Sequence, residues 1–518
     1  MKNIITIMAL LLSGVINAQQ AGTLNNQFSE NGWDASVYGN NNGFTLEKTL
    51  IQPDGKILAC AQGYFPSEAT QAVLVRYNID GSFDTTFGGG DGTVRTKDDP
   101  AIDLWTAASD MGLQSSGKII IVGDIFTNEE RIIRLNADGS LDSSFGIDGL
   151  IAMPRPNSEI VYHVGIQSDD KIVVCGRERS PVDGILTQSV FLWRFTENGV
   201  LDGSFGSGGK VSYDLSAWSG GGENNLVINQ LLIDSNDKII TNQTFYNGVD
   251  YFLLIKRLNA NGSADNSFGT NGSAIKIDNT IPGFRYSNSA ILEDGSIISS
   301  FTSYSESGLY SESLFRLSAS GEIDPSFSVN FGNPTNYAER LQVKTSGNKV
   351  YVIKQTIAGY DHDQVFCFDL IGNPVTTFGI NGIVTLNQND IPQSYESRAA
   401  ISPNGNIYLI SGTKELNTPQ NKRFLAINLF GFDPNLSVEE EMPTNGFIVY
   451  PNPTTGKVTI SVENETIDQV ELLDILGKKV MTKSGNSSQI DLSTFSSGVY
   501  IFKIFAGNNI IQKYIIKQ

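Results

Sequence analysis

The sequence predicts an all-β chain, with a seven-bladed β-propeller followed by a small Ig-like β-sandwich. A turn of the form x-x-S/T-F-G, with variants at Phe28 and Phe327, recurs seven times, 51 to 63 residues apart, centred on Phe28, Phe87, Phe145, Phe205, Phe268, Phe327 and Phe378. A second turn follows each of these copies, also seven times, at 52–56, 114–118, 167–171, 234–238, 292–296, 345–349 and 402–406. Each period holds four short runs rich in β-branched and aromatic residues, which is typical of the four antiparallel strands of a propeller blade.

The first 18 residues have the features of a cleavable export signal. Lys2 supplies a positive start, residues 4–12 form an apolar run, and Ala18 provides a small-residue exit. The apolar run is too short to span a bilayer. We therefore expect residues 1–18 to be a signal peptide and the repeats to occupy residues 19–436.

The two ends of the repeat array complement each other. The seventh unit supplies β-type runs at 406–412 and 423–429 but no fourth run after them. Residues 33–39, WDASVYG, form a fourth run that lacks its three predecessors. The sequence predicts that 33–39 completes the last blade, which would close the ring and remove two exposed strand edges.

The repeat resembles the delta-60 repeat family over about residues 24–436. The resemblance is carried by RYNIDGSFDTTFG (76–88) and RLNADGSLDSSFG (134–146), together with the P-D-G-K turn at 53–56. It implies the propeller architecture. It implies no particular activity, because the family has none assigned.

One column of the repeat pairs an arginine with an aspartate eight residues later. In the sixth unit both are replaced, by Cys367 and Val375. Joint loss is expected of a paired Arg and carboxylate, because a partly buried charge left alone is costly. We predict bridges across the turn between the third and fourth strands, or to an adjacent blade, with a ring of identical ligand sites as the alternative. The five pairs are Arg76 with Asp84, Arg134 with Asp142, Arg194 with Asp202, Arg257 with Asp265, and Arg316 with Asp324.

Composition argues against several classes of function. The 518 residues carry a net charge of −19, which disfavours binding to phosphate backbones and anionic membranes. No cofactor is predicted. Asp-Gly and Asn-Gly turns leave calcium open, but they lack the dense acidic run of an EF-hand loop. Cys60, Cys175 and Cys367 lack metal-site spacing, so we expect buried packing residues.

Catalytic patterns are scarce. His163 and His362 are the only histidines, with no G-x-S-x-G turn and no phosphate-binding loop nearby. His163 is expected to be structural, and His362 to be a loop residue. A pair of carboxylates acting on a glycoside remains open, since such pairing is spatial.

The loops that join strand two to three and blade to blade are long and different in every unit. Specific recognition of an extracellular glycan or protein is expected on that variable face. Aromatic and charged side chains there are the candidate ligand contacts, namely Trp105, Arg155, Trp218, Tyr304, Tyr310 and Asp361.

The last 82 residues form a separate module. Residues 437–446 are a polar linker, and about seven short β-type runs follow in 447–518. The block resembles the type A C-terminal sorting domain of type IX secretion cargo from Bacteroidetes. The resemblance implies contact with the type IX machinery and a secreted or outer-surface location. It is carried by Tyr450, Pro451, Asn452, Pro453, Gly456, Gly498, Tyr500, Lys513 and Lys517.

The sequence thus favours an exported, non-enzymatic propeller whose function is binding or adhesion. Two alternatives stay open. One is an extracellular carboxylate-dependent hydrolase acting at the channel mouth, and the other is a structural surface component.

Overall fold

The computed structural model contains strands and turns, and its described residues include no helix that could cross a membrane. Two compact units divide the chain, residues 1–435 and 436–518. The signal segment 1–18 and the linker 437–446 lie outside the described residues. These are 21–29, 32–37, 43–65, 70–96, 108–125, 129–153, 160–182, 185–215, 226–246, 251–278, 284–304, 310–331, 339–356, 363–386, 394–402, 405–413, 423–429, 448–450, 454, 456–461, 466–474, 479–485, 489–496, 498–506 and 509–517.

Six sheets of the first unit each contain four antiparallel strands in chain order. Tight turns join the first strand to the second, as at Gln52, whose N–H donates to the Lys56 carbonyl at 2.8 Å. The first three sheets are β2 (Gly43–Ile51), β3 (Ile57–Tyr64), β4 (Gln71–Tyr77) and β5 (Thr93–Arg95); β6 (Asp110–Leu113), β7 (Ile119–Ile125), β8 (Glu129–Leu135) and β9 (Leu150–Met153); and β10 (Ile160–Ile166), β11 (Ile172–Val182), β12 (Ile185–Phe195) and β13 (Lys210–Asp214). The next three are β14 (Val227–Ile233), β15 (Ile239–Tyr246), β16 (Tyr251–Leu258) and β17 (Ser273–Asp278); β18 (Phe284–Ile291), β19 (Ile297–Tyr304), β20 (Tyr310–Leu317) and β21 (Ile323–Asn330); and β22 (Glu339–Ser346), β23 (Lys349–Thr356), β24 (Gln364–Asp369) and β25 (Ile383–Thr385).

The seventh four-stranded sheet combines both ends of the unit. It contains β26 (Ser394–Ile401), β27 (Ile407–Thr413), β28 (Arg423–Leu429) and β1 (Trp33–Val37). β1 runs antiparallel to β28, with Trp33 opposite Ile427 and Val37 opposite Arg423. The prediction that the N-terminal run supplies the missing fourth strand is therefore confirmed over 33–37.

The seven sheets contact one another in a cycle. Each first strand packs against the first strand of the next sheet, from β2 through β6, β10, β14, β18 and β22 to β26. β26 in turn contacts β2, which closes the cycle. The first strands therefore surround a common centre.

Apolar side chains fill the space between neighbouring sheets. Leu58, Cys60 and Leu74 share one core cluster with Met111 and Ile121 of the following sheet. The phenylalanine of the repeated turn belongs to these cores and is buried in each sheet where it recurs. All three cysteines are buried and free, as the sequence predicts.

The second unit contains two antiparallel sheets around one core. Val458, Ile460 and Ile490 come from the first sheet, and Leu472 and Phe502 come from the second. The three-stranded sheet has the order β29 (Ile448–Tyr450), β30 (Lys457–Ser461) and β33 (Gln489–Asp491). The four-stranded sheet has the order β32 (Lys479–Ser484), β31 (Gln469–Asp474), β34 (Gly498–Ala506) and β35 (Asn509–Lys517).

Candidate functional site: the centre of the ring

The repeated Arg–Asp column forms structural links in four sheets. Arg134 Nε donates to Asp142 Oδ2 at 2.7 Å, and the guanidinium lies 4.6 Å from the centre of the Phe145 ring. Arg134 also donates to the carbonyl of Glu197, in a turn of the next sheet. The same pairing occurs in Arg76 with Asp84, Arg194 with Asp202, and Arg257 with Asp265. Protein groups thus engage these four guanidinium groups.

A lysine from the first turn joins three of these carboxylates closely. Lys118 Nζ lies 2.8 Å from Asp142 Oδ2, and Lys56 and Lys238 make the same contact with Asp84 and Asp265. Burial opposes ionisation of these carboxyls. The bonds from lysine and from the nearby hydroxyl nevertheless hold the pKa of Asp142 well below its usual value.

The predicted pair of Arg316 with Asp324 is wrong. Arg316 donates to Asp294 at 2.7 Å instead. Two local changes explain this difference. Ser296 stands where the other four sheets have the lysine, and it accepts from Arg316. β21 begins at Ile323, so Asp324 lies within an extended strand, where it binds Ser326.

Each first strand places one polar side chain at an equivalent position, which is four residues before the first turn in six sheets and three residues before it in the sixth sheet, at Gln342. We call this set the channel column. Each member stands opposite an equivalent residue of its second strand, as Lys48 stands opposite Cys60 and Asp110 opposite Val122. A β-bulge directly precedes the column residue in four sheets. The seven residues are Lys48, Asp110, His163, Gln230, Asn288, Gln342 and Arg398.

The channel column connects every sheet to the next. Lys48 Nζ lies 2.9 Å from Asp110 Oδ1. Asp110 Oδ2 accepts the Val164 N–H at 3.2 Å, and His163 Nε2 lies 3.1 Å from the Ile228 carbonyl. The remaining links are Gln230 to the Ser289 N–H, Asn288 to the Val343 N–H, Gln342 to the Ala399 N–H, and Arg398 Nε to the Glu47 carbonyl. Seven polar links therefore run round the whole ring.

Asp110 is a buried anion within this set of seven polar links. Besides Lys48, it contacts His163 Nδ1 at 3.4 Å and accepts the Met111 N–H at 2.8 Å. Burial raises its pKa, but the Lys48 charge and His163 outweigh burial and lower the pKa to about 2. Asp110 is thus an ionised structural acceptor at neutral pH.

A cavity of about 290 Å³ lies at the centre of the ring. Its lining includes column residues from all seven first strands together with Lys344, two residues after Gln342 in β22. The corresponding position of the other sheets is occupied by Leu50, Gly112, Gly165, Leu232, Ala290 and Ala400. Lys344 is therefore the one charged side chain at a position that is otherwise apolar or glycine.

Lys344 makes no hydrogen bond or ion pair with any residue that the structure describes. Burial and the charges of Lys48 and Arg398 lower the pKa of Lys344 to about 8, against a smaller opposing effect of Asp110. The cavity thus contains a cation whose charge the described protein groups do not neutralise directly.

Sequence reasoning did not identify the channel column, apart from assigning His163 a structural role. The signal was present, because six of the seven residues lie four residues before the first turn and Gln342 lies three residues before it. They are chemically different from one another, so only an alignment of the repeats by that turn would have grouped them.

The six candidate residues of the variable face are not brought together in the described part of the chain. Tyr304 ends β19 and stands opposite Tyr310, which begins β20. The other four lie outside the described residues, as does His362: Trp105, Arg155, Trp218 and Asp361. The described residues include no group of three or more His, Cys, Asp or Glu that could hold a metal ion.

Six of the sorting-motif residues lie in or directly beside strands of the second unit. Tyr450 ends β29, Gly498 begins β34, and the Tyr500 hydroxyl donates to the Ser496 carbonyl at 3.0 Å. Gly456 directly precedes β30, and Lys513 and the buried Lys517 belong to β35. Pro451, Asn452 and Pro453 lie outside the described residues.

Comparison with family models matches both units. Residues 448–518 match the secretion system C-terminal sorting domain. Residues 52–87, 114–145 and 239–268 match a β-propeller domain of unknown function, DUF5122.

Relatives and solved structures with similarity to the chain are distant or short. An ulvan lyase of Nonlabens ulvanivorans is 38% identical over 64 residues, which is 12% of this chain and 12% of that protein. The Drosophila Semaphorin 2a structure is 8% identical with a TM-score of 0.44, covering 92% of this chain and 96% of its own. An α-L-arabinanase of Penicillium chrysogenum, solved with arabinobiose, is 12% identical with a TM-score of 0.38, covering 76% and 98%.

The family matches agree with the two sequence resemblances. The repeats are those of a β-propeller protein, and the last 71 residues are a type IX C-terminal sorting domain. A sorting domain of this kind implies export, with an extracellular or cell-surface location.

Proposed function

We propose that this chain is an exported binding protein, a seven-bladed propeller that recognises its ligand at the central cavity. Residues 1–18 act as the signal peptide, 19–436 form the propeller, 437–446 link the units, and 447–518 form an Ig-like sorting sandwich that engages the type IX machinery. Seven four-stranded sheets in cyclic contact support the blade count. Two sheets around one core support the sandwich.

The seven polar links around the cavity are the main support for the proposal. Hydrogen bonds to neighbouring sheets fix the channel column, so its polar groups are positioned before any ligand arrives. Such preorganisation favours binding because less side-chain freedom is lost. The variable loops of the ring, with Trp105, Arg155, Trp218, Tyr304, Tyr310 and Asp361, would extend recognition beyond the cavity.

The hydrolase alternative receives less support from the cavity. A glycosidase needs one carboxylic acid with a raised pKa beside a second carboxylate. Asp110 instead has a lowered pKa and is bonded on both oxygens. The short match to an ulvan lyase is still a reason to include polysaccharide cleavage in the test.

Binding and catalysis are separated by one pair of assays on the full mature chain. Immobilised glycans and peptides are screened for saturable binding, and the same ligands are incubated with the protein and analysed for cleavage products. We expect binding without turnover. Turnover that disappears in an Asp110→Asn variant, while the variant melts like the parent protein, would instead establish an enzyme.

A further inference from the structure

We propose that the central cavity binds a small anionic group, a carboxylate or an oxyanion such as sulfate or phosphate, and that Lys344 is its principal contact. This inference rests on the proposed binding function and adds to it the class of ligand.

The cavity is locally cationic in an acidic protein. Lys48, Lys344 and Arg398 all line it, although the whole chain carries a net charge of −19. Asp110 already pairs with Lys48 at 2.9 Å and accepts two backbone N–H groups. Glu47 accepts from Gln62 at 2.9 Å. Both carboxylates of the lining are thus engaged by other protein groups.

Lys344 provides the strongest argument. Six sheets have an apolar residue or glycine at its position, so the fold does not need a charge there. In two sheets the space is filled by the neighbour, since a Cβ on Gly112 or Gly165 would lie 2.8 Å from Ile166 or Ile233. A partly buried ammonium without a described partner lowers the stability of the free protein. An anion in the cavity would supply the missing partner.

The size and wall of the cavity limit what fits. A volume of about 290 Å³ is close to the lower limit for small-molecule sites. Amide side chains also line the cavity, including Asn229, Asn288 and Gln342. They can donate to or accept from hydroxyl groups. The cavity therefore suits a small hydroxylated acid, or the acidic terminal residue of a longer chain.

The test uses isothermal titration of the full mature chain with four probes: glucuronate, sulfate, inorganic phosphate and neutral glucose. Lys344→Met removes the charge at nearly constant volume, and Lys344→Arg keeps it. Lys171→Met is the matched control, because Lys171 pairs with exposed Asp169 on a turn. We expect saturable binding of at least one anion and none of glucose. Binding should weaken about tenfold or more in Lys344→Met and persist in Lys344→Arg and Lys171→Met.

Stability supplies a second readout that needs no ligand. The pKa of Lys344 in the folded protein, about 8, is below the ordinary lysine value of 10.5, so the charge of Lys344 disfavours folding below pH 8, and this cost fades as the pH rises towards 10.5. The other charged or titratable groups of the lining are Glu47, Lys48, Asp110, His163 and Arg398. At pH 7 the Lys344→Met variant should have a melting temperature about 2–4 °C higher than the parent protein, because it lacks the buried charge. At pH 10.5 that difference should vanish.

The outcomes distinguish the two proposals. Binding that Lys344→Met leaves unchanged would overturn the anion site but leave the binding function in place. If every ligand that binds is also cleaved, the binding function itself is overturned. If no anion binds and Lys344→Met does not raise the melting temperature at pH 7, the anion site is wrong.

Discussion

Arg134 links three parts of the ring through one side chain. It is only 2% exposed, and it contacts the turn carboxylate of Asp142, the Phe145 ring and the carbonyl of Glu197 in the next sheet. The pairing with Asp142 was readable from the eight-residue spacing. A bridge to an adjacent blade was an open alternative, but the Glu197 carbonyl could not be named as the partner, because this contact depends on how neighbouring sheets pack.

Replacing Arg134 should therefore destabilise the ring strongly. Arg134→Met leaves Asp142 partly buried with one cation fewer, and loss of one partner from a buried pair costs about 3–5 kcal/mol. The melting temperature of the first unit, followed by calorimetry, is the measurement.

Arg316→Met is the matched control for this prediction. Its partner Asp294 is 58% exposed, and exposed pairs contribute about 1 kcal/mol or less. If the two variants lower the melting temperature equally, burial is not the reason that the Arg–Asp pairs stabilise the ring.

At the scale of the element, β1 completes a sheet that the rest of the chain leaves open. Its five residues pair with β28, and the Asn25 N–H donates to the Asn428 carbonyl at 3.0 Å. The sequence indicated this strand because 33–39 had no preceding strands of its own. The bulges that orient the channel column were not predicted, because a single extra residue leaves the alternation of a short strand nearly unchanged.

Deleting residues 19–38 should open the ring. The outer edge of β28 would lose its partner and Trp33 its packing, at a cost of at least about 3 kcal/mol. Thermal unfolding and light scattering measure the result, which we expect to be a lower melting temperature and concentration-dependent association.

Removal of residues 436–518 is the control truncation, since it leaves all seven sheets of the ring complete. If the protein that lacks residues 19–38 is monomeric and melts at the temperature of the parent protein, β1 is not needed to close the ring.

At the scale of the whole molecule, the ring and the sorting domain were predicted from different kinds of sequence signal. Repetition made the ring visible seven times over, so a weak copy such as the sixth could be recognised from the others. The sorting block was visible through a fixed order of motifs. The cavity was the part that sequence did not reveal, because its seven column residues come from strands up to 350 residues apart and differ in chemistry.

Passage across the outer membrane should depend on the second unit. Deleting residues 448–518 is expected to leave the protein in the periplasm of a type IX secreting host, because the machinery would lack its sorting domain. Cell fractionation and immunoblotting measure the distribution. The Lys344→Met variant, which keeps the tail, should reach the medium or the cell surface like the parent protein, and release of the truncated chain would contradict the assignment.

The position of β28 also has a mechanical consequence. β28 is the last strand of the ring before the chain continues to the sorting unit, and it lies between β27 and β1. If the sorting unit is held while the ring binds a ligand, the chain transmits tension to the ring at Leu429, where β28 ends. Hydrogen bonds lie perpendicular to antiparallel strands, so the component of a pull that runs along β28 loads both flanking rows of hydrogen bonds in shear. Because β1 covers the outer edge of β28, β28 is held by hydrogen bonds on both sides. The strand that would bear the load in an anchored protein is therefore protected against being pulled out of the sheet.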